Sequence, residues 1–165
     1  MKAFLILLVL LVVSPAFAGD GRWTFEKEWE LGERKVAAAH IGFKSGLQLA
    51  VFCDADEPKL IFGTTVREVT DELKAVLALS TTEYGADEAS IKKLPTASYL
   101  SKDNVVFVIA RDVSQGDTKL VLTGIEEAKK RISVTLGLAG RSQKFNFPAK
   151  GSTKAIQTFN QRCSK

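Results

Sequence analysis

Few residues in this chain have the types and spacing that catalysis requires. His40 is the only histidine, and it lies in the small apolar run at residues 36–41. A serine hydrolase would need this imidazole beside a serine such as Ser45, Ser80 or Ser98, and no G-x-S-x-G nucleophile elbow contains any of them. We therefore interpret His40 as a structural residue and predict no catalytic residue.

Metal and cofactor binding have as little support. Asp54, Asp56 and Glu57 form the densest acidic cluster, but a calcium loop needs more oxygen ligands and a glycine where this segment has Pro58. No Gly-rich phosphate loop is present. The sequence therefore predicts neither metal nor cofactor. Paired carboxylates for glycoside hydrolysis are set by spatial position, so a small cell-envelope hydrolase, or an inhibitor of one, stays open as the alternative function.

Residues 1–18 have the layout of a cleavable signal peptide. Lys2 precedes an unbroken apolar run at residues 4–13, and small residues surround the expected cleavage point after Ala18. The apolar run is too short for a permanent membrane span. We expect a mature chain that starts at Gly19, has no membrane span, and is periplasmic or secreted.

The mature residues 19–165 suit one β-rich domain that retains both cysteines. In an oxidising compartment Cys53 and Cys163 most simply form one disulfide, closing a loop of about 110 residues for which the chain-entropy model gives roughly 4–5 kcal/mol. Ile156, Phe159 and Cys163 share one face of the final helix at i, i+3 and i+7. The bridge should therefore clip the C-terminal helix to the sheet.

Alternating apolar and polar residues predict a mainly β fold. We expect an antiparallel β-sandwich-like or curved sheet of seven to nine strands with two short helices. One helix should start at the capping-box spacing of Thr123 and Glu126, and the other at Ser152 or Thr153. The clearest strands are predicted at residues 23–31, 36–43, 47–53, 59–64, 105–111, 132–138 and 144–147.

The middle of the chain is less clearly patterned. Residues 66–80 fit either a helix or a strand, and we favour a strand at 75–81 because its neighbours are β. Residues 84–102 are interpreted as a long connection with a short helix at 88–93. A turn at 114–117 followed by a short strand at 119–122 completes this region.

Positive charge is concentrated at the C-terminal end of the chain. Residues 20–125 contain 13 basic and 17 acidic residues, whereas residues 126–165 contain 9 basic and 2 acidic. Such a segment either neutralises the acidic half of the protein or attracts an anionic partner. The candidate partners are an envelope protein or an anionic surface polymer, and export argues against nucleic acid. The candidate surface consists of Arg141, Lys144, Lys150, Lys154 and Arg162.

The order of these features resembles small exported proteins of Gram-negative bacteria. Trp23 follows the signal peptide, a meander strand ends at Cys53, and a phenylalanine-bearing strand at 145–147 leads through a capped helix to Cys163. In this outline the chain resembles the invasion-associated locus B family and accessory periplasmic proteins of type VI secretion. The resemblance implies a periplasmic β-rich domain and transfers no active site. We expect a non-catalytic binding or accessory protein of the cell envelope.

Overall fold

The computed structural model describes residues 21–102, 104–110 and 115–163 of the chain. The signal peptide expected at residues 1–18 lies outside this part. The described elements are β1 (Thr24–Leu31), β2 (Arg34–Gly42), β3 (Gln48–Asp54), β4 (Glu57–Thr65), α1 (Asp71–Leu77), β5 (Thr81–Ala86), β6 (Ala89–Lys102), β7 (Val105–Ala110), α2 (Gln115–Glu127), β8 (Arg131–Leu138), β9 (Arg141–Pro148) and α3 (Ser152–Cys163).

All nine described strands join one antiparallel open sheet in the order β1-β2-β3-β4-β7-β6-β5-β8-β9. The long strand β6 pairs with β5 through its first half and with β7 through its second, and its register shifts between Thr96 and Ser98. Phe62 on β4 lies 4.9 Å from Phe145 and 6.4 Å from Phe147 on β9, measured between ring centroids. Strands far apart in the order therefore meet, which confirms a mainly β, curved sheet.

The helices α2 and α3 pack on the face of the sheet that holds the main core. α2 contacts β4, β5 and β6, whereas α3 contacts β1, β2 and α2. Ile156, Phe159 and Cys163 are buried on α3, as their spacing predicts. None of the helices in the described ranges is long and apolar enough to cross a membrane.

The predicted disulfide between Cys53 and Cys163 is present, with its Cα atoms 5.5 Å apart. Cys53 shares the phase of Leu49 and Val51 on β3, and all three side chains belong to the main core. The bridge thus fixes the last turn of α3 to the end of β3. This confirms the predicted attachment of the C-terminal helix to the sheet.

The opposite face of the sheet carries a second, smaller apolar cluster. Ala50 and Phe52 on β3 pack there with Ala38 and Ile61, and each of these residues is buried. β3 is therefore buried on both faces of the sheet.

The predicted strand at 75–81 is wrong. Residues 71–77 form α1, and the Thr70 hydroxyl caps it by accepting a hydrogen bond from the Leu73 N–H at 3.2 Å. Leu73 and Leu77 are the buried residues of this helix. The helical stripe in the sequence was the better guide, and β5 starts only at Thr81.

The long connection predicted at 84–102 is also wrong, as is its short helix at 88–93. These residues complete β5 and form β6, whose first half pairs with β5 and whose second half pairs with β7. Lys92 is a polar residue within β6, so it adds nothing to an apolar pattern. Its ammonium pairs with Asp117 of α2 at 2.9 Å. Pro95 lies just before the register shift, where the strand changes partners.

A continuous helix replaces the predicted strand at 119–122 and the predicted helix start at Thr123. α2 already begins at Gln115, so the turn expected at 114–117 overlaps its first turn, although residue 114 lies outside the described ranges. Val121, Leu122 and Ile125 are buried at helical spacing. The described part of the chain therefore contains three helices where two were expected.

Asp87 joins the β5–β6 turn to the connection between α2 and β8. Its carboxylate accepts backbone N–H groups of Lys129, Lys130 and Arg131 at 3.1, 2.7 and 3.1 Å. The pKa of Asp87 is lowered by these hydrogen bonds, led by that of Lys130. Arg131 returns the contact by donating from Nε to the Asp87 carbonyl and from Nη2 to Glu88.

Replacing both cysteines with serine should lower the free energy of unfolding by about 2–5 kcal/mol, because the unfolded chain regains the freedom of a long loop. Denaturant titration of the oxidised wild type and the double variant measures this difference. Reduced wild-type protein serves as the control and should match the variant. Free thiols in the unfolded, unreduced wild type would contradict the bridge.

Asp87→Asn should lower the melting temperature at neutral pH. Because the folded-state pKa of Asp87 is depressed, its contribution is present above the unfolded pKa of about 3.9 and is lost as pH falls through the folded value. The difference between wild type and variant should therefore shrink in acid. Asp71→Asn is the matched control, since the ion-pair partner of Asp71 among the described residues, Lys74, is exposed. Equal effects of the two substitutions at pH 7 would refute this role.

Candidate functional site

All five residues of the predicted surface are exposed. Arg141 and Lys144 lie on the edge strand β9, Lys150 lies in the link to α3, and Lys154 and Arg162 lie on the outer side of α3. The buried residues Phe145 and Phe147 alternate with Lys144 along β9. The pleat of the strand therefore points Lys144 away from the core.

The five cations form an extended arrangement and do not form one compact site. Arg141 and Pro148 are at opposite ends of β9, about 23 Å apart at the rise of a β-strand. Lys144 lies in a cross-strand row with Thr135 and Glu83 on the outer face of the sheet. Lys150 lies between Lys144 and Lys154 in the chain, where β9 ends and α3 begins.

None of these five cations forms an ion pair with a described residue. Most of the ion pairs in this part of the chain are formed within its more acidic first portion, as shown by Arg34–Asp54, Lys35–Glu28, Lys59–Glu57, Lys74–Asp71 and Lys92–Asp117. Arg131–Glu88 is the pair that the basic segment contributes. The positive charges of β9 and α3 are therefore not used to neutralise the acidic residues by direct contact.

The fold brings further cations beside Lys150 that the sequence analysis did not include. The Ala149 N–H donates to the Lys130 carbonyl at 3.1 Å, and the Trp23 N–H donates to the Lys150 carbonyl at 3.0 Å. These two bonds place Lys130 and Arg22 next to the link between β9 and α3. Arg22, Lys129, Lys130, Lys150 and Lys154 are all exposed here, and we call these five residues the basic end.

The Arg22 side chain lies directly against the start of α3. Its Nε would be 3.2 Å from a Cβ atom at Gly151, whose φ of +86° already favours glycine. The close approach and the backbone conformation thus both require glycine at this position. The segment before β1 and the start of α3 are therefore held in one arrangement.

His40 is held by structural contacts on the outer face of β2. Its Nε2 lies 3.0 Å from Oε1 of Glu26 and 3.3 Å from the hydroxyl of Thr24, and its ring stacks on Trp29 at 5.6 Å. A triad histidine uses one ring nitrogen for the nucleophile and the other for the carboxylate. Both contacts of His40 involve the same nitrogen, so this arrangement does not have the geometry of a triad.

The serines considered for a hydrolase lie elsewhere. Ser80 donates its hydroxyl hydrogen to the Leu77 carbonyl at 2.7 Å. Ser98 on β6 is four strands from His40, about 19 Å at the spacing of a sheet. Ser45 lies in the β2–β3 turn. The structure therefore does not bring Ser80 or Ser98 to His40.

The acidic cluster lies in the β3–β4 turn. Asp54 pairs with Arg34 at 3.2 Å, and Glu57 pairs with Lys59 at 2.7 Å. Over the ranges that the structure describes, no three His, Cys, Asp or Glu residues are grouped as metal ligands. Asp54 is thus used in an ion pair with β2, and Glu57 in an ion pair within β4.

The chain was compared with protein families, curated proteins and solved structures, and none of the three comparisons found a match.

Proposed function

We propose that this chain is an exported, non-catalytic binding or accessory protein of the cell envelope that recognises an anionic partner through its C-terminal basic surface. The observation that carries the proposal is the exposure of the positive charges on β9 and α3, together with their lack of ion-pair partners among the described residues. Arg141, Lys144, Lys150, Lys154 and Arg162 are exposed and have no ion-pair partner among the described residues. Exposed, uncompensated charges of one sign attract and orient a partner of the opposite sign.

The scaffold beneath this surface suits binding by a preformed face. α3 is fixed by the buried residues Ile156 and Phe159 and by the disulfide to β3. β9 is fixed by Phe145 and Phe147 in the main core. The backbone of such elements loses little conformational freedom when a partner binds, which favours affinity.

Export to the periplasm or the exterior is supported by two independent features. The first 18 residues have the charge, apolar run and small residues of a cleavable leader. The Cys53–Cys163 bridge is of a kind that persists in oxidising compartments. The resemblance to the invasion-associated locus B proteins agrees with the same location.

Expression with an intact export pathway should yield a mature protein that starts at Gly19. The cleavage rule is satisfied by Ala16 and Ala18. The intact mass of protein from the periplasm or medium measures the processed N-terminus. A membrane-associated species that retains Met1 would refute the proposed location.

Changing Lys144, Lys150 and Lys154 together to Glu should abolish binding to the anionic partner and leave the melting temperature nearly unchanged, because all three side chains are exposed. The measurement is capture of protein and acidic polymer from an envelope extract by the tagged protein, at low and high salt. Wild-type capture should weaken as salt rises, since exposed charges are screened.

The control variant changes Lys27, Lys93 and Lys119 to Glu, which alters net charge equally at exposed positions elsewhere. It should retain capture. If the wild type binds equally well at all salt concentrations, or if the first variant still captures the partner, these lysines serve solubility alone and the proposed function is wrong.

A further inference from the structure

We propose that the basic end binds a linear polyanion, a polymer chain with repeated phosphate or carboxylate groups. The inference rests on the proposed function and deepens it in two ways. It moves the point of recognition from the length of β9 to the end where Arg22, Lys129, Lys130, Lys150 and Lys154 meet. It also selects a class of partner.

The basic end is assembled from three separate segments of the chain. Arg22 precedes β1, Lys129 and Lys130 connect α2 to β8, and Lys150 and Lys154 flank the start of α3. The backbone bonds from Trp23 to Lys150 and from Ala149 to Lys130 fix these segments together at 3.0 and 3.1 Å. The main chain therefore holds these positively charged residues near one another.

Three acidic side chains near the basic end, Asp87, Glu88 and Glu126, make other contacts and keep their negative charges. The Asp87 carboxylate accepts hydrogen bonds from the backbone N–H groups of Lys129, Lys130 and Arg131, and Glu88 forms an ion pair with Arg131. Glu126 accepts a hydrogen bond from the Gln157 side chain at 3.0 Å. The side chains of Lys129, Lys150 and Lys154 have no carboxylate within ion-pair distance in the described ranges.

The position of Lys154 opposes the stability of α3. It lies in the first turn, where the helix dipole is positive, and that turn contains no acidic residue. Lys150 precedes the same turn and adds a like charge. Acidic residues are the favoured choice at such a position, so helix stability does not explain a lysine there. A bound anion would relieve the repulsion.

The surroundings of the basic end favour a polymer over a membrane. Membrane-binding surfaces combine cations with exposed apolar side chains that enter the lipid. The exposed large apolar residues of the described part lie elsewhere, Leu79 before β5, Leu100 on β6 and Leu120 on the first half of α2. A lipid surface would therefore meet charge without an apolar anchor.

The composition of the basic end also favours a polymer over a protein partner. Protein interfaces are depleted in lysine and depend on a central aromatic or apolar anchor. Four of the five residues here are lysines, and the adjacent Trp23 is buried. Flexible, point-like ammonium groups suit successive charges on a chain.

The test compares two variants of equal charge, each with three cations changed to glutamine. The first removes Lys129, Lys150 and Lys154, and the second removes Arg141, Lys144 and Arg162. Calorimetric titration uses long-chain polyphosphate, polygalacturonate, pyrophosphate and vesicles with anionic lipid as probes. The first variant should bind the long polyanions about tenfold more weakly than wild type, and the second should change affinity by less than about twofold.

Lys154→Glu separates binding from folding. It should weaken polyanion binding while the melting temperature stays the same or rises, because a carboxylate suits the first turn of α3. A purely structural role of Lys154 would move the melting temperature downward. Long polymers should also bind more tightly than pyrophosphate, since a longer chain reaches more of the cations.

The failures of the two proposals are distinguishable. If the second variant loses as much affinity as the first, or if vesicles bind more tightly than the polymers, this inference is wrong and the proposed function stands. This inference is also wrong, and the proposed function stands, if neither polymer binds while an envelope protein is captured in a salt-sensitive way. If no anionic probe or envelope partner binds with salt sensitivity, both are wrong.

Discussion

The curvature of the single sheet is the constraint on which the rest of the molecule depends. β6 is long enough to pair with β5 and with β7 in succession, and its register shift at Thr96–Ser98 lets the two halves turn toward each other. Phe62 from one half then meets Phe145 and Phe147 from the other. Without this contact the sheet would expose two apolar faces and have no shared core.

The curvature also decides where the basic segment lies. β9 is the last strand in the order of the sheet. The chain leaves β9 beside the start of β1, as the Trp23–Lys150 hydrogen bond shows. From there α3 crosses β1 and β2, and the disulfide fixes its last turn to β3. The cations lie on an edge strand, in links and on the outer side of a helix, where they do not enter the core.

Much of the fold could be predicted from periodicity. The seven clearest strands, the final helix and the pairing of Cys53 with Cys163 follow from side-chain phase. The helix α2 could have been found from Thr118, Val121, Leu122 and Ile125, which repeat at helical spacing. The turn signal at residues 114–117 and the capping-box spacing of Thr123 and Glu126 instead indicated a turn, a short strand and a later helix start. β6 gave no such signal, because the sequence from Ala89 to Lys102 contains Pro95 and has no regular alternation of apolar and polar residues.

The candidate surface was predictable as a charge excess but not as an arrangement. Lys150 and Lys154 are close in sequence, so their proximity is local. Arg22 and Lys130 join them only through backbone hydrogen bonds between segments far apart in the chain. Composition also does not reveal which charges are paired. The acidic residues of the first portion form most of their ion pairs with cations of the same portion. Strand register and turn geometry determine this pairing.

The most direct test of the central claim is to map the amide resonances of the uniformly labelled protein while long-chain polyphosphate is added. The account predicts that the largest chemical-shift changes occur at residues 22, 129–130 and 150–154, and that added salt reverses them. Changes centred on Arg141 and Lys144, changes on the outer face of β1–β4, or no salt-reversible change would contradict it.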